Sequence, residues 1–433
     1  MQSPSRGFLG LLVVLGFSWR LVISTLTVVP REDGVNYLWM AERFAAGEAC
    51  TALSEVFSPL LPLVIAIPVA LGIEPFFAGQ LVLALIGALF VVPVVHLSEA
   101  LCAGSGRCAG CLTVFAARPS LLGAMVYTEP LFLLVGCFAV VLGVKKQFWV
   151  CGAVSGLAFW IRPEAVLIPI VFLFSDRRSW RLVPVWLAAI GLLVLWRGSC
   201  GHGYDPMPKL AFIAAHNVAG DTDAVGLVLR VLGNSPRTLW LLVEAFNAMA
   251  ILALIGLWHR RPAAVLWLLA LGLLVVCAYV PRRRFLVNWM FCVAPLAAIG
   301  LMHLPRRGMW LGGVVLLNIS LALTGGVDAN RLAERRVAEH LRELSNPGDV
   351  IAGDMTRVLY FAGQRPLEPR HYTAEELVAN GRSARFVVLR TGRETTPEVR
   401  RGLMSHGPLE LTGELSDLAR ERGILVLERI RRP

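Results

Sequence analysis

Long apolar runs separated by short polar turns fill the chain up to residue 327, where the pattern changes abruptly. Residues 7–29 form the first run. Arg6 precedes it and no small-residue cleavage site follows, so it reads as a retained span rather than a removed signal peptide. Further runs of spanning length lie at 76–98, 108–127, 129–144, 182–197, 239–258, 263–280, 286–304 and 309–327. Residues 148–174 carry Arg162-Pro163-Glu164 in the middle, which predicts two short helices meeting at a polar turn. Residues 58–73 are apolar but short, and they contain Pro59, Pro62 and Pro68.

Positive charge decides how these runs thread the membrane. If 58–73 does not cross, the N-terminus is cytoplasmic. Arg107, Lys145-Lys146, Arg177-Arg178-Arg181, Arg260-Arg261 and Arg306-Arg307 then all face the cytoplasm. If 58–73 crosses and all else is kept, all five basic loops face outward. The first arrangement gives about eleven spans, with 58–73 lying along or dipping into the outer leaflet. A second arrangement lets 58–73 cross while 148–174 makes one span, at the cost of leaving Lys145-Lys146 outside. In the first arrangement the loops 30–75 and 198–238 and the tail from 328 share the outer side. So do the turns near 127–129, 162–164 and 281–284. Cys50 and Cys200 both face outside, which permits a disulfide.

The tail, 328–433, reads as a small extracytoplasmic α/β domain following a membrane module of residues 1–327. Leu332, Val337, Leu341 and Leu344 recur at helical spacing. Residues 349–352, 386–389 and 424–427 read as short buried strands, with a helix near 374–380. No glycine-rich phosphate loop and no His/Cys ligand cluster is evident.

Composition agrees with this division. Of 433 residues, 56% are hydrophobic and only 16% charged, against about 25% charged in soluble domains. A soluble or disordered chain is excluded. The membrane part holds 23 basic and 14 acidic residues and the tail 18 and 16, so the positive charge belongs to cytoplasmic loops and implies no nucleic-acid partner. Cys108 and Cys111 form a CxxC without a second ligand pair, which reads as two buried helix residues rather than a metal site.

Candidate chemistry gathers at the outer ends of the spans. Asp33, beside Glu32, reads as the N-cap of an amphipathic surface helix that contains Tyr37. Glu129, between Tyr127-Thr128 and Pro130, must face protein or a water-filled cavity rather than lipid. Arg162 and Glu164 flank Pro163 and form either a local ion pair or a polar pocket open to an anion. Lys209 stands in the loop 198–238 and suits a phosphate as a point charge. Asp221 and Asp223 there form a weak DxD. Arg282-Arg283-Arg284 is the one basic cluster on the outer side, and a bound anion or lipid headgroups would account for it.

Four segments in order carry a resemblance. They are Asp33-Gly34-Val35-Asn36-Tyr37 with Ala41 and Gly47, Ser58-Pro59-Leu60-Leu61-Pro62, Tyr127-Thr128-Glu129-Pro130-Leu131-Phe132, and Gly156-Leu157 through Arg162-Pro163-Glu164. Together they resemble the GT-C superfamily of integral membrane glycosyltransferases, nearest the bacterial protein-mannosyltransferase-like and aminoarabinose-transferase-like enzymes. The resemblance implies a polyprenyl-phosphate-linked sugar donor and a lipid, glycan or protein acceptor on the outer face of the plasma membrane. It makes Asp33 the base, with Glu32 and Glu129 as competitors. Many relatives place a Glu directly after the Asp, where this chain has Gly34. No motif demands a cofactor, and a divalent cation remains compatible.

The chemistry supports the same assignment. Inverting transfer needs a carboxylate to take the acceptor's proton and cations where charge develops on the departing phosphate. Asp33, Arg162, Lys209 and Arg282–Arg284 are expected at headgroup depth on one side. A transporter or flippase for an anionic lipid is the alternative. It favours a midplane site and repeated halves, and no repeat is visible. A non-catalytic envelope scaffold would leave Asp33 and Arg162 without a role.

Overall fold

A computed structural model describes residues 4–54, 56–205, 224–279, 281–325, 329–346, 348–364, 374–390, 396–404, 409–411 and 424–429. The chain divides into two compact units. One comprises Met1–Leu26 and Met40–Gly326, the other Thr27–Trp39 and Val327–Pro433.

The first unit is helical throughout its described residues. Among the described residues four helices are long and apolar enough to cross a membrane: Arg6–Thr25, Pro75–Leu101, Arg177–Ser199 and Arg307–Gly325. The bent pair Val228–Phe246 and Ala248–His259 adds a fifth if it counts as one span. Arg177–Ser199 leaves Leu187, Leu192 and Leu195 exposed, whereas Met290–Met302 is buried along nearly its whole length. Apolar side chains facing outward around a buried apolar helix require lipid as the outer solvent. The chain is a multi-pass membrane protein.

Several of the eleven expected spans are not continuous helices. Residues 108–127 split into Gly106–Val114 and Ala117–Ala124. Residues 239–258 break at Asn247, where the two helices meet at 106°. Asn247 has φ 52° and ψ −134°, a positive-φ backbone that residues with a side chain rarely adopt. Residues 148–174 form Phe148–Phe159, a 3₁₀ turn Pro163–Val166 and Leu167–Ser175, following the expected polar turn. The helix Leu60–Ala70 occupies the short proline-rich segment.

Each helix break exposes backbone groups that lipid cannot satisfy, and buried polar side chains answer them. Arg20, inside the first span and 3% exposed, donates from Nη1 to Val114 O at 3.2 Å and from Nη2 to Thr113 O at 3.3 Å. Those are the last carbonyls of Gly106–Val114. Asn318 Oδ1 accepts from Ala117 N at 3.2 Å, capping the second half of the broken helix. Gln80 Nε2 donates to Ser24 O and Ala124 O, both at 3.2 Å. Gly87 makes room for Arg20, because a Cβ there would meet its Nε. Gly256 and Gly300 let the helices Ala248–His259 and Met290–Met302 touch: a Cβ on Gly256 would meet Leu296 O, and one on Gly300 would meet Leu252 O.

The second unit holds a four-stranded sheet of order β1-β2-β4-β3: β1 (Ile351–Gly353), β2 (Phe386–Arg390), β3 (Leu409–Leu411) and β4 (Ile424–Arg429). β1 and β2 are parallel; the other pairs are antiparallel. Alternation along the strands sends Phe386, Val388, Ile424 and Val426 toward Val337, Leu341, Val358 and Leu359. Val387, Leu389 and Leu427 pack on the other face with Leu377, Val399 and Leu403. The helices Thr356–Phe361 and Thr396–Met404 and strand β3 were not evident from hydropathy. The unit also takes in Thr27–Trp39, which the sequence pattern assigns to the exit of the first span.

Arg20→Leu removes the donors to two buried carbonyls at the break after Val114. Stability should fall by about 3 kcal/mol, seen as an earlier thermal transition of the detergent-solubilised protein. Arg20→Lys should recover part of the loss.

Candidate functional site

In the first unit the two motif turns meet through one guanidinium. Tyr127, Thr128 and Glu129 form the turn between the helices Ala117–Ala124 and Glu129–Val144, with Pro130 in the first turn of the second. Val126 in this turn has φ 59°, an uncommon conformation for a β-branched residue and a local strain beside the site. Arg162 lies in extended backbone ahead of Pro163, the conformation that a following proline favours.

Arg162 is 3% exposed and fully engaged. Its Nη1 donates to Glu129 Oε1 at 2.8 Å and to Thr128 Oγ1 at 3.4 Å. Its Nη2 and Nε donate to Glu164 Oε1 and Oε2 at 2.8 and 3.3 Å, a two-pronged match of guanidinium to carboxylate. The local ion pair, one of two readings open from the sequence, therefore describes Arg162. Its charge is met by two carboxylates.

Arg284 extends the cluster. Its guanidinium lies 5.2 Å from the Tyr127 ring centroid and 5.0 Å from that of Phe285, and Arg162 lies 5.2 Å from the same Phe285 ring. Arg283 pairs with Glu244 at 3.4 Å. Arg282 is exposed and has no ion pair among the described residues. Two buried features were not foreseen. Glu129 Oε2 has no hydrogen-bond partner, and neither do Nδ2 and Oδ1 of the buried Asn288, among the described residues. Asn288 follows the short helix Arg283–Val287, four residues after Arg284 and three after Phe285, which places it on their side of the helix. Buried polar atoms normally find partners. These atoms can accept and donate to a polar ligand.

A disulfide joins Cys50 to Cys200. Beside it, Arg197 Nη1 donates to Ser54 O at 2.9 Å and His202 Nε2 donates to Cys50 O at 2.9 Å. The two loops read as outward are thus tied together. Arg43 lies 2.8 Å from Glu48 in the first of them, and that hydrogen bond holds the Glu48 carboxyl below its usual range.

In the second unit, Asp33 is half-buried in the helix Glu32–Ala45. It is not the cap: Val35 N donates to Arg31 O at 3.0 Å, so Arg31 holds the capping position and Asp33 stands inside the first turn. The helix N-terminus still favours its ionised form. Glu32 Oε1 accepts from Arg390 Nη2 at 2.9 Å and lies 3.8 Å from Arg357 Nη1. Arg357 also donates from Nη2 to Glu334 Oε1 at 2.6 Å. Tyr37 is buried. Arg357 and Arg390 left no trace in the sequence pattern, because the tail contains eighteen arginines in similar contexts. Lys209, Asp221 and Asp223 lie outside the described residues. Among the described residues no three His, Cys, Asp or Glu side chains gather as a metal-ligand set.

Arg162→Met strands two buried or half-buried carboxylates and should cost about 3–5 kcal/mol of stability. Adding Glu129→Gln should return part of that loss, because the more deeply buried carboxylate is then neutral. Thermal unfolding of the single and double variants measures both steps.

No protein-family model and no curated protein sequence matches the chain. Among solved structures it is similar to ArnT from Cupriavidus metallidurans bound to undecaprenyl phosphate, at 13% identity, TM-score 0.65 and 99% coverage of both chains. The Archaeoglobus fulgidus oligosaccharyltransferase is similar in a complex with zinc and sulfate, at 10% identity and TM-score 0.60 over 94% of this chain and 72% of that one. The same archaeal enzyme, AglB, is also similar in complex with an inhibitory peptide and a dolichol-phosphate, at 10% identity and TM-score 0.59 over 89% and 69%. A mycobacterial arabinofuranosyltransferase, AftD, matches at 14% identity and TM-score 0.54 over 99% of this chain and 42% of that one. ArnT, AglB and AftD share the GT-C architecture, and this chain carries the GT-C fold.

Proposed function

We propose that the protein is a glycosyltransferase that moves a sugar from a polyprenyl-phosphate donor to an acceptor at the outer face of the plasma membrane. The carrying observation is the GT-C fold over the full chain, shared with a structure described with undecaprenyl phosphate. In this reading Asp33 is the general base. The acceptor hydroxyl or amine attacks the anomeric carbon, its proton passes to the Asp33 carboxylate, and the C–O bond to the phosphate breaks with inversion. Glu32 is a weaker candidate, since an arginine already occupies its carboxylate. Glu129 has one free oxygen but pairs with Arg162 through the other.

The donor phosphate falls to the arginine run Arg282–Arg284, with Lys209 as a further cation. Arg284 stacks its guanidinium on the Tyr127 and Phe285 rings, and Arg282 is the exposed member of the run. Arg162 then fixes the two turns. Glu164 belongs to the walls of the donor site in this reading. Zinc accompanies the archaeal relative, but the described residues form no metal-ligand set, so no step is routed through a metal. The acceptor is a lipid, glycan or protein.

The broken helices also suit a flippase for a lipid-linked precursor, since discontinuous spans line transporter sites. Transfer of labelled sugar to acceptor or water, rather than movement of intact lipid, separates the two readings.

The Cys50–Cys200 disulfide supports an outward assignment for those loops, because disulfides persist in oxidising compartments. A cytoplasmic N-terminus and an extracytoplasmic tail follow from eleven spans. A reporter active only outside the cytoplasm should work when fused after Pro433 and be silent after Arg307. The reverse pattern would sink this topology.

In Asp33→Asn, turnover should fall by about 10²-fold or more while donor affinity holds. Arg284→Ala should instead raise donor KM. Near-normal turnover in Asp33→Asn together with loss in Glu129→Gln would move the base to the second turn.

A further inference from the structure

The backbone leading into Asp33 is held by three arginines of the same unit. Arg335, on the helix Ala329–Leu344, donates from Nη1 to Val28 O at 3.0 Å, and its guanidinium sits 5.3 Å from the Phe361 ring centroid. Arg357, on the helix Thr356–Phe361, lies 3.8 Å from Glu32 Oε1 and is anchored to Glu334. Arg390, the last residue of β2, donates to Glu32 Oε1 at 2.9 Å. Arg390 is itself fixed: its backbone N donates to Asp354 Oδ1 at 2.8 Å, and Asp354 N donates to Val388 O at 3.1 Å.

These contacts meet at one place in the sheet. β1 and β2 run parallel, so Asp354, just past β1, and Arg390, ending β2, stand at the same edge. The carboxyl ends of parallel strands are where α/β sheets present functional side chains. Here that edge receives the segment Val28–Glu32. On the other side of Glu32, Asn36 Nδ2 donates to Glu32 O at 3.1 Å. Glu32 is therefore restrained at its side chain and at its carbonyl, one residue before Asp33.

We propose that Arg335, Arg357 and Arg390 are positioning residues: they clamp Val28–Glu32 and so fix the first helical turn that presents Asp33. The proposal rests on Asp33 acting as the base. A base must be held to within a fraction of an ångström of the proton that it accepts, and displacement by about 1 Å costs up to 10²-fold in rate. The tail unit is in this view part of the catalytic machinery rather than an appended domain. Glu32 is the handle by which the tail grips the base, which explains an acid that precedes Asp33 instead of following it.

Arg390 is the residue to change, since its partly exposed side chain can be removed without emptying a core. The full-length protein in detergent is compared as wild type, Arg390→Ala and Arg390→Lys. Hydrogen exchange is read on peptides covering residues 28–36. Turnover is read with polyprenyl-phosphate-linked aminoarabinose and mannose as probes, and affinity with undecaprenyl phosphate. Arg390→Ala should exchange about tenfold faster over 28–36. Its kcat should fall about tenfold with undecaprenyl phosphate affinity unchanged. Arg390→Lys should retain most of both. Unchanged protection in Arg390→Ala overturns the clamp. Faster exchange with normal kcat overturns the positioning role and leaves the glycosyltransferase reading standing. No transfer from either probe by the wild-type protein counts against the glycosyltransferase reading for these donors, while the exchange data still decide the clamp.

Discussion

A polar group in the apolar unit must find a partner inside the protein, because lipid offers none. That constraint governs where the helices of this chain can break. The break after Val114 exists because Arg20 reaches its carbonyls and Asn318 caps the helix that resumes at Ala117. The end of that second helix is met by Gln80. The turn at Arg162-Pro163-Glu164 persists because a buried guanidinium has two carboxylates and a hydroxyl around it. Unpaired, the same guanidinium would be among the most costly groups to bury.

That rule is left unmet at several buried atoms among the described residues, one of which, Glu129 Oε2, lies at a motif turn. Glu129 Oε2 and the Asn288 amide stand buried without partners among the described residues. Glu129 shares the Arg162 ion pair, and Asn288 follows the short helix that carries Arg284 and Phe285. A sugar or phosphate oxygen has the hydrogen-bonding capacity that these atoms lack. A site that binds a polar headgroup at the edge of a lipid phase needs unsatisfied groups of this kind, held rigidly by satisfied ones.

The two units use arginine differently. In the helical unit Arg20, Arg162 and Arg197 are buried and each answers fixed oxygen atoms. In the sheet unit Arg335, Arg357 and Arg390 reach from three elements to one short segment. Planar guanidinium donors suit both tasks, since one side chain can satisfy several acceptors at defined angles. This use accompanies a chain with 38 arginines and three lysines.

The sequence by itself determined the membrane character, the change of regime near residue 328, most helical segments and the strands at 351, 386 and 424. Hydrophobic periodicity and charge density are local properties, and lipid and water read them directly. It also placed Glu129, Arg162 and Glu164 at a similar depth at the outer ends of the spans, since charges inside apolar runs have few places to go. Tertiary structure alone decided that Arg162 pairs with Glu129 as well as with Glu164. It alone decided that Asn247 bends a helix, that Cys50 meets Cys200, and that Arg357 and Arg390 rather than any neighbour in sequence hold Glu32. Each of these joins residues far apart in the chain or depends on backbone conformation. No local pattern encodes them, because an arginine that pairs at long range looks the same in sequence as one that faces water.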